Sequence, residues 1–171
     1  MLKREVQIKP WVESNLDLLH QLNIPEMLEH LGGVETEEQV VSRNKRYSAI
    51  SVKGTGRMFS IELMPESVQV GNVGYWESEF DTEPIYEMGW GVLPEYQGQG
   101  IAYEATLAAI ASARAEGNHI YLHAFPSTNN PGSNALCRKL NFKFIAESDF
   151  EYPKGNWMKC NNWRLNLRSA T

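Results

Sequence analysis

Hydrophobic and polar positions alternate with a period of two in several short stretches of the chain and with a helical period between them. Residues 5–10 set Val6 and Ile8 against Gln7 and Lys9 and stop at Pro10, which predicts an N-terminal strand. Leu16, Leu18, Leu19 and Leu22 fall close to helical spacing and predict a helix over 15–22. Pro25 opens another helical turn carrying Met27, Leu28 and Leu31, which Gly32 and Gly33 break. Thr36 and Gln39 have the spacing of a capping box, and Val40, Val41 and Tyr47 give the helix that follows its apolar stripe.

The period then changes. Residues 57–64 alternate Phe59, Ile61 and Leu63 against Met58, Ser60 and Glu62, and 68–77 carry Val68, Val70, Val73, Tyr75 and Trp76. Two antiparallel strands joined around 65–67 are the economical reading, with a polar turn at 80–84 and a third strand at 85–93. That strand runs into Gln97-Gly98-Gln99-Gly100. An alanine-rich segment begins near Ile101, and its face of Ala105, Ala108, Ile110, Ala111 and Ala115 suits close packing on a sheet until Gly117-Asn118 ends it. Residues 119–125 predict the next strand. Strand, turn, helix, strand implies that 87–93 and 120–125 are parallel neighbours joined by a right-handed crossover. Asn130-Pro131 has the form of an N-cap with proline at the first helical position. Leu136, Cys137 and Leu140 supply that short helix with an apolar face, and Asn141 stands where a left-handed residue closes a helix. Two closing strands are expected at 142–146 and 157–167, around a polar loop at 148–156, with a frayed tail at 168–171. The whole predicts a single α/β domain over 1–171, with a mixed sheet that is mostly antiparallel.

The glycine turn carries the chemistry. A strand feeding a helix through such a turn presents backbone N–H groups at the positive end of the helix, which is a phosphate seat, and Gly98 and Gly100 let a ligand approach the main chain closely. The dinucleotide fingerprint is not met, because Tyr103 stands where its third glycine belongs; the P-loop is not met either, because no Lys-Ser or Lys-Thr follows.

Composition trims the alternatives. The 171 residues hold 16 Lys plus Arg against 21 Asp plus Glu, a formal net charge of -5 with no basic block, which disfavours direct nucleic-acid binding. Cys137 and Cys160 are too few and too far apart for a disulfide framework or a zinc signature, and His119 and His123 lack a third ligand nearby, so no metal site is expected. The start lacks an apolar leader and no apolar run approaches membrane-spanning length. The expectation is a cytoplasmic protein with no membrane association. The closing strands carry aromatic residues suited to an edge, which makes a homodimer the expected assembly if that edge is covered, and a monomer if Lys143, Lys159 and Arg164 blunt it.

Two motifs together resemble the GCN5-related N-acetyltransferase superfamily, and within it the ribosomal-protein-alanine acetyltransferase-like branch. The first is Glu87-Met88-Gly89-Trp90 with Pro94, Gln97, Gly100 and Ala102; the second is Asn130, Ser133, Lys139, Leu140 and Phe142, with Asn141 replacing the usual glycine. The resemblance implies a strongly twisted mixed sheet, mostly antiparallel with a central parallel pair and helices on both faces. It implies acetyl-coenzyme A as cosubstrate and transfer of its acetyl group to a primary amine, either a protein N-terminus or a small molecule. It assigns the pyrophosphate to Gln97, Gly98, Gln99, Gly100, Ile101 and Ala102, the pantetheine arm to Gly91, Val92 and Leu93, and a further cofactor contact to Asn130. Glu87 is the implied base, direct or through water, and Ser133 the implied aid to the departing thiolate. The tyrosine that many relatives use falls on Cys137. The alternative reading is a non-catalytic coenzyme A-binding module of the same fold.

Overall fold

The structure is a computed structural model describing residues 3–152 and 154–169. Its strands are β1 (Val6–Pro10), β2 (Gly56–Leu63), β3 (Val68–Phe80), β4 (Glu83–Val92), β5 (Tyr121–Ala124), β6 (Lys143–Glu151) and β7 (Trp157–Asn166). They form one sheet in the order β1-β2-β3-β4-β5-β7-β6, antiparallel throughout except for the parallel pair β4–β5. The helices are α1 (Leu16–Leu22), α2 (Pro25–Leu28), α3 (Glu37–Lys53), α4 (Ile101–Glu116) and α5 (Pro131–Lys139). The mixed sheet and the crossover through α4 agree with the expectation.

Adjacent residues of β3 show that both faces are covered. Tyr75 packs with Tyr86, Met88, Leu122 and the α4 residues Ala105, Ala109 and Ile110. Its neighbour Trp76 turns to the other face, against the cluster of Leu18, Leu19, Leu22 and Val40 from α1 and α3. The small residues of α4 are what let that helix lie close on the sheet.

Local signals act as read. Thr36 Oγ1 accepts from the Gln39 amide at 3.2 Å while Gln39 Oε1 accepts from the Thr36 amide at 2.8 Å, closing the capping box of α3. Asn141 adopts φ 65°, and the Phe142 amide reaches back to the Cys137 carbonyl at 3.0 Å, so asparagine closes α5 where glycine is commoner. Pro25 opens a single turn, with Gly33 donating to the Leu28 carbonyl behind it.

Three boundaries differ. The ladder between β3 and β4 continues to Phe80 opposite Glu83, so the expected polar turn at 80–84 shrinks to Asp81-Thr82, both at positive φ as a two-residue hairpin turn requires. The first closing strand runs on to Glu151, absorbing half of the expected loop, because β6 is an edge strand whose polar side chains meet solvent while its backbone pairs with β7. At the C-terminus, Arg168 and Ser169 are tied by their amides to Asn166 Oδ1; residues 170 and 171 of the expected frayed tail lie outside the described residues.

Candidate functional site

The site starts from a place where the sheet comes apart. β4 pairs with β5 only over Tyr86–Met88 against Leu122–Ala124, and β4 continues to Val92 without a partner on that side. On its other side β4 stays paired with β3, where the Leu93 amide donates to the Val70 carbonyl at 2.8 Å and Gly91 stands opposite Asn72. The alternation of an antiparallel ladder then turns the backbone groups of Gly91 and Leu93 toward β3 and those of Trp90 and Val92 toward the open edge. Of the three residues expected on the pantetheine arm, Val92 alone offers its main chain there. Trp90, one step back, offers its own. The Val92 carbonyl already accepts from Gln97 Nε2 at 2.8 Å, a bond that folds the loop back onto the strand end.

The glycine turn continues from that edge. Gly98 and Gly100 adopt φ 74° and 79°, and a Cβ at either would meet nothing within 4 Å, so the left-handed conformation rather than crowding demands glycine. Among the described residues, the amides of Gly98, Gln99 and Gly100 have no protein acceptor, and those of Ile101 and Ala102 belong to the first turn of α4, where none exists within the helix. Gln97 is held apart from this set because its amide donates to the Pro94 carbonyl at 3.2 Å. Gln99 donates its side chain to the Glu95 carbonyl at 3.3 Å. The Ile101 side chain is buried in the core and anchors the helix start. Five amides at a helix N-terminus, in open space, fit a diphosphate.

Ser133 lies on the α5 side of this edge. Asn130 Oδ1 accepts from the Ser133 amide at 3.1 Å, so the asparagine expected to touch cofactor caps α5 instead of leaving its oxygen free. Ser133 Oγ accepts from Trp90 Nε1 at 3.2 Å, which leaves its own proton to donate. Cys137, one turn further on, is fully buried, and burial pushes its thiol up to about 12. It is a small core residue, unlike a hydroxyl beside the strand edge.

Glu87 points to the opposite face. It stands opposite Trp76 on β3 and His123 on β5, half-buried. Burial raises its carboxyl above the ordinary 4.5, and the polar groups of the Ser78 and Trp76 side chains pull in the other sense. A carboxylate with elevated proton affinity therefore lies on one side of β4 and a free hydroxyl proton on the other. His119 and His123 do not meet. His119 bonds to Glu77 and packs edge-on against Tyr86, while His123 is buried beside Phe80, Phe125 and Asn162. Among the described residues no group of three His, Cys, Asp or Glu is placed to hold a metal. No helix among them is long and apolar enough to cross a membrane. Of the aromatic residues of the sheet, Tyr75, Tyr86 and Trp163 are core, whereas Trp157 is 65% exposed.

Sequence reasoning missed Asn134 and Asn162. Asn134 donates to the carbonyls of Ser127 and Asn130 and accepts from Asn161 and Trp163, fastening α5 to β7 and to the loop after β5. Asn162 is fully buried against His123. The partners that tie them to other elements, Asn161 and Trp163 for Asn134 and His123 for Asn162, lie 27 to 39 positions away, and a lone asparagine in a helix or strand carries no periodic signal.

The pattern of the acetyltransferase (GNAT) domain family matches residues 5–143. A relative from Bacillus subtilis (strain 168), an uncharacterized N-acetyltransferase YnaD, is 29% identical over 164 residues, covering 91% of this chain and 86% of its own. In fold, the chain matches RimL, a ribosomal L7/L12 alpha-N-protein acetyltransferase solved in complex with coenzyme A, with a TM-score of 0.78, 18% identity and coverage of 94% and 93%. It also matches yncA, a putative acetyltransferase from Salmonella typhimurium solved with acetyl-CoA, with a TM-score of 0.74, 20% identity and coverage of 97% and 96%. The family pattern spans the meander, the glycine turn and α5 alike: the chain belongs to the GNAT acetyltransferases, and acetyl-coenzyme A is its cosubstrate.

Proposed function

We propose that this protein transfers the acetyl group of acetyl-coenzyme A to a primary amine by direct attack on the thioester, with the α-amine of a protein or peptide as the leading acceptor class. The observation that carries the reading is the open edge of β4, with free amides at Gly98–Ala102 on its continuation and with Glu87 and Ser133 on its two sides. The diphosphate sits on the five amides, and the pantetheine amides pair with the main chain of Trp90 and Val92. The fold-level likeness to RimL, which is named for acetylating an alpha-N position of a ribosomal protein, supports a peptide amine. The acidic side chains Glu77, Glu79, Asp81 and Glu83 along the β3–β4 hairpin suit a cationic acceptor.

The reaction asks two things of the protein. An alkyl amine is protonated at neutral pH, so a proton must leave nitrogen as the C–N bond forms, and the sulfur needs one as the C–S bond breaks. Glu87, whose proton affinity burial has raised, accepts the first, directly or through one water. Ser133, whose oxygen is occupied by Trp90, donates toward the sulfur from the other side of the strand. Cys137 is the poorer donor because its thiol is buried away from the edge.

An amine and peptide library, read by mass detection of acetylated product and by free-thiol release, tests the reading. The expected result is product with at least one amine class and loss of it in Glu87→Gln. Tight coenzyme binding without transfer to any amine is the result a non-catalytic module gives.

A further inference from the structure

The acceptor face holds a buried polar pair that neither the core nor the cofactor seat explains. His123 is 2% exposed and Asn162 fully buried, with Nδ1 of the imidazole 2.7 Å from Asn162 Oδ1. An amide oxygen only accepts, so Nδ1 carries the hydrogen and Nε2 keeps its lone pair. Asn162 Nδ2 meets no acceptor among the described residues, an unpaired buried donor that a residue chosen for packing alone would avoid. Phe80 and Phe125 flank the ring, with centroids 5.2 and 5.8 Å away, and fix its plane.

The register makes this pair relevant to the reaction. His123 stands directly opposite Glu87 on the neighbouring parallel strand, one residue before the pairing ends at Ala124. Facing residues on adjacent strands are about 5 Å apart and project to the same face. Resting on the role proposed for Glu87, we infer that His123, locked by Asn162, is a positioning residue whose Nε2 accepts from the Glu87 carboxyl when that carboxyl holds the amine's proton. A neutral imidazole acting in this way stabilises the protonated acid and holds the carboxyl toward the strand edge. The surroundings keep the ring neutral. Burial lowers its proton affinity, the Asn162 bond opposes this, Arg164 on β7 lowers it further and Glu83 on β4 raises it. Facing Glu87 are Ser78 and Trp76 from β3 and the buried Cys160 from β7, while β6 contributes Phe150 through its stack on Phe125.

Nuclear magnetic resonance on the full chain tests this without needing an acceptor. Imidazole 15N shifts should show His123 as the Nδ1–H tautomer, and an Nε2–H tautomer overturns the inference. The Glu87 carboxyl 13C signal, identified by its loss in Glu87→Gln, should titrate about one pH unit lower in His123→Phe and in Asn162→Leu than in the wild type. If His123 serves packing alone, the midpoint in the folded variants stays or rises, which overturns the inference. Should neither variant fold, the wild-type tautomer decides. With an accepted amine, the acid limb of the rate profile should move by the same amount and in the same direction, with acetyl-coenzyme A affinity unchanged by calorimetry. Absence of any acetylated product counts against the amine transfer reading and leaves the titration result standing.

Discussion

The two sides of the proposed reaction centre are built from different material. The cofactor seat is made of backbone: five amides at the start of α4 and the unpaired edge of Trp90 to Val92, contiguous in sequence over barely a dozen residues. The acceptor side is made of side chains, Glu87, Ser78, Trp76, His123 and Asn162, contributed by four strands. Backbone donors depend on glycine spacing and so announce themselves in a sequence. Side-chain clusters depend on register between distant strands, which no local spacing encodes. On the proposed function, the first side sets coenzyme affinity and the second sets turnover.

Substitutions sharpen that division. The largest effect is expected at Glu87, where Glu87→Gln should lower turnover by about 100-fold when proton transfer limits the rate, with acetyl-coenzyme A affinity unchanged. Affinity falling together with rate would erase the boundary between the two sides. Next comes Gly100→Val, which crowds the seat. A hydrogen bond to a charged group is worth about 1.5–3 kcal/mol, so losing one should weaken coenzyme binding at least ~10-fold in a calorimetric titration. Ser133→Ala should slow the chemical step a few-fold, about what one neutral hydrogen bond contributes, and should preserve the shape of the pH profile in single-turnover measurements.

The smallest effect is on stability, and its sign is informative. Glu87 has a folded-state pKa raised by burial above the unfolded value near 4.5. The unfolded chain therefore gives up this proton more readily, and folding is penalised as pH rises through the folded pKa. Glu87→Gln should melt higher than the wild type at pH 8, with the gap closing below pH 4.5, where both states hold the proton. A gap that persists in acid would assign the gain to packing instead of charge. Stability lost in the wild type and regained in an inactive variant is a mark of a functional carboxylate.

Much of the fold was legible, for reasons visible in particular residues. The capping box at Thr36 and Gln39, the Asn130-Pro131 start and the Asn141 close of α5 are local chemistry, and the structure repeats them. The parallel pair followed from the crossover rule. Strand ends were less legible. Asp81-Thr82 reads as part of a polar loop, yet it is a two-residue turn because the ladder holds through Glu79 opposite Pro84 and Phe80 opposite Glu83. β6 hides among polar residues because an edge strand needs only one paired side. In the site, the glycine turn was plain, but ladder alternation was needed to show that Val92 and Trp90 present backbone at the open edge while Gly91 and Leu93 do not. In sequence His123 reads only as a metal-ligand candidate, since its partner Asn162 is 39 positions away.

The placement of the cosubstrate on the glycine turn is tested most directly by a matched pair at the two ends of α4. Gly100 and Gly117 both adopt left-handed φ, 79° and 66°, and both have open space where a Cβ would go. Valine at either carries the same backbone strain, about 1–2 kcal/mol, yet Gly100 leads into the first-turn amides at the positive end of α4, while Gly117 closes its negative end by donating its amide to the Ala113 carbonyl. Calorimetric titration of acetyl-coenzyme A into the folded wild type, Gly100→Val and Gly117→Val should show at least ~10-fold weaker binding for the first variant and wild-type affinity for the second. Equal affinity in all three proteins contradicts the account and moves the diphosphate away from this turn.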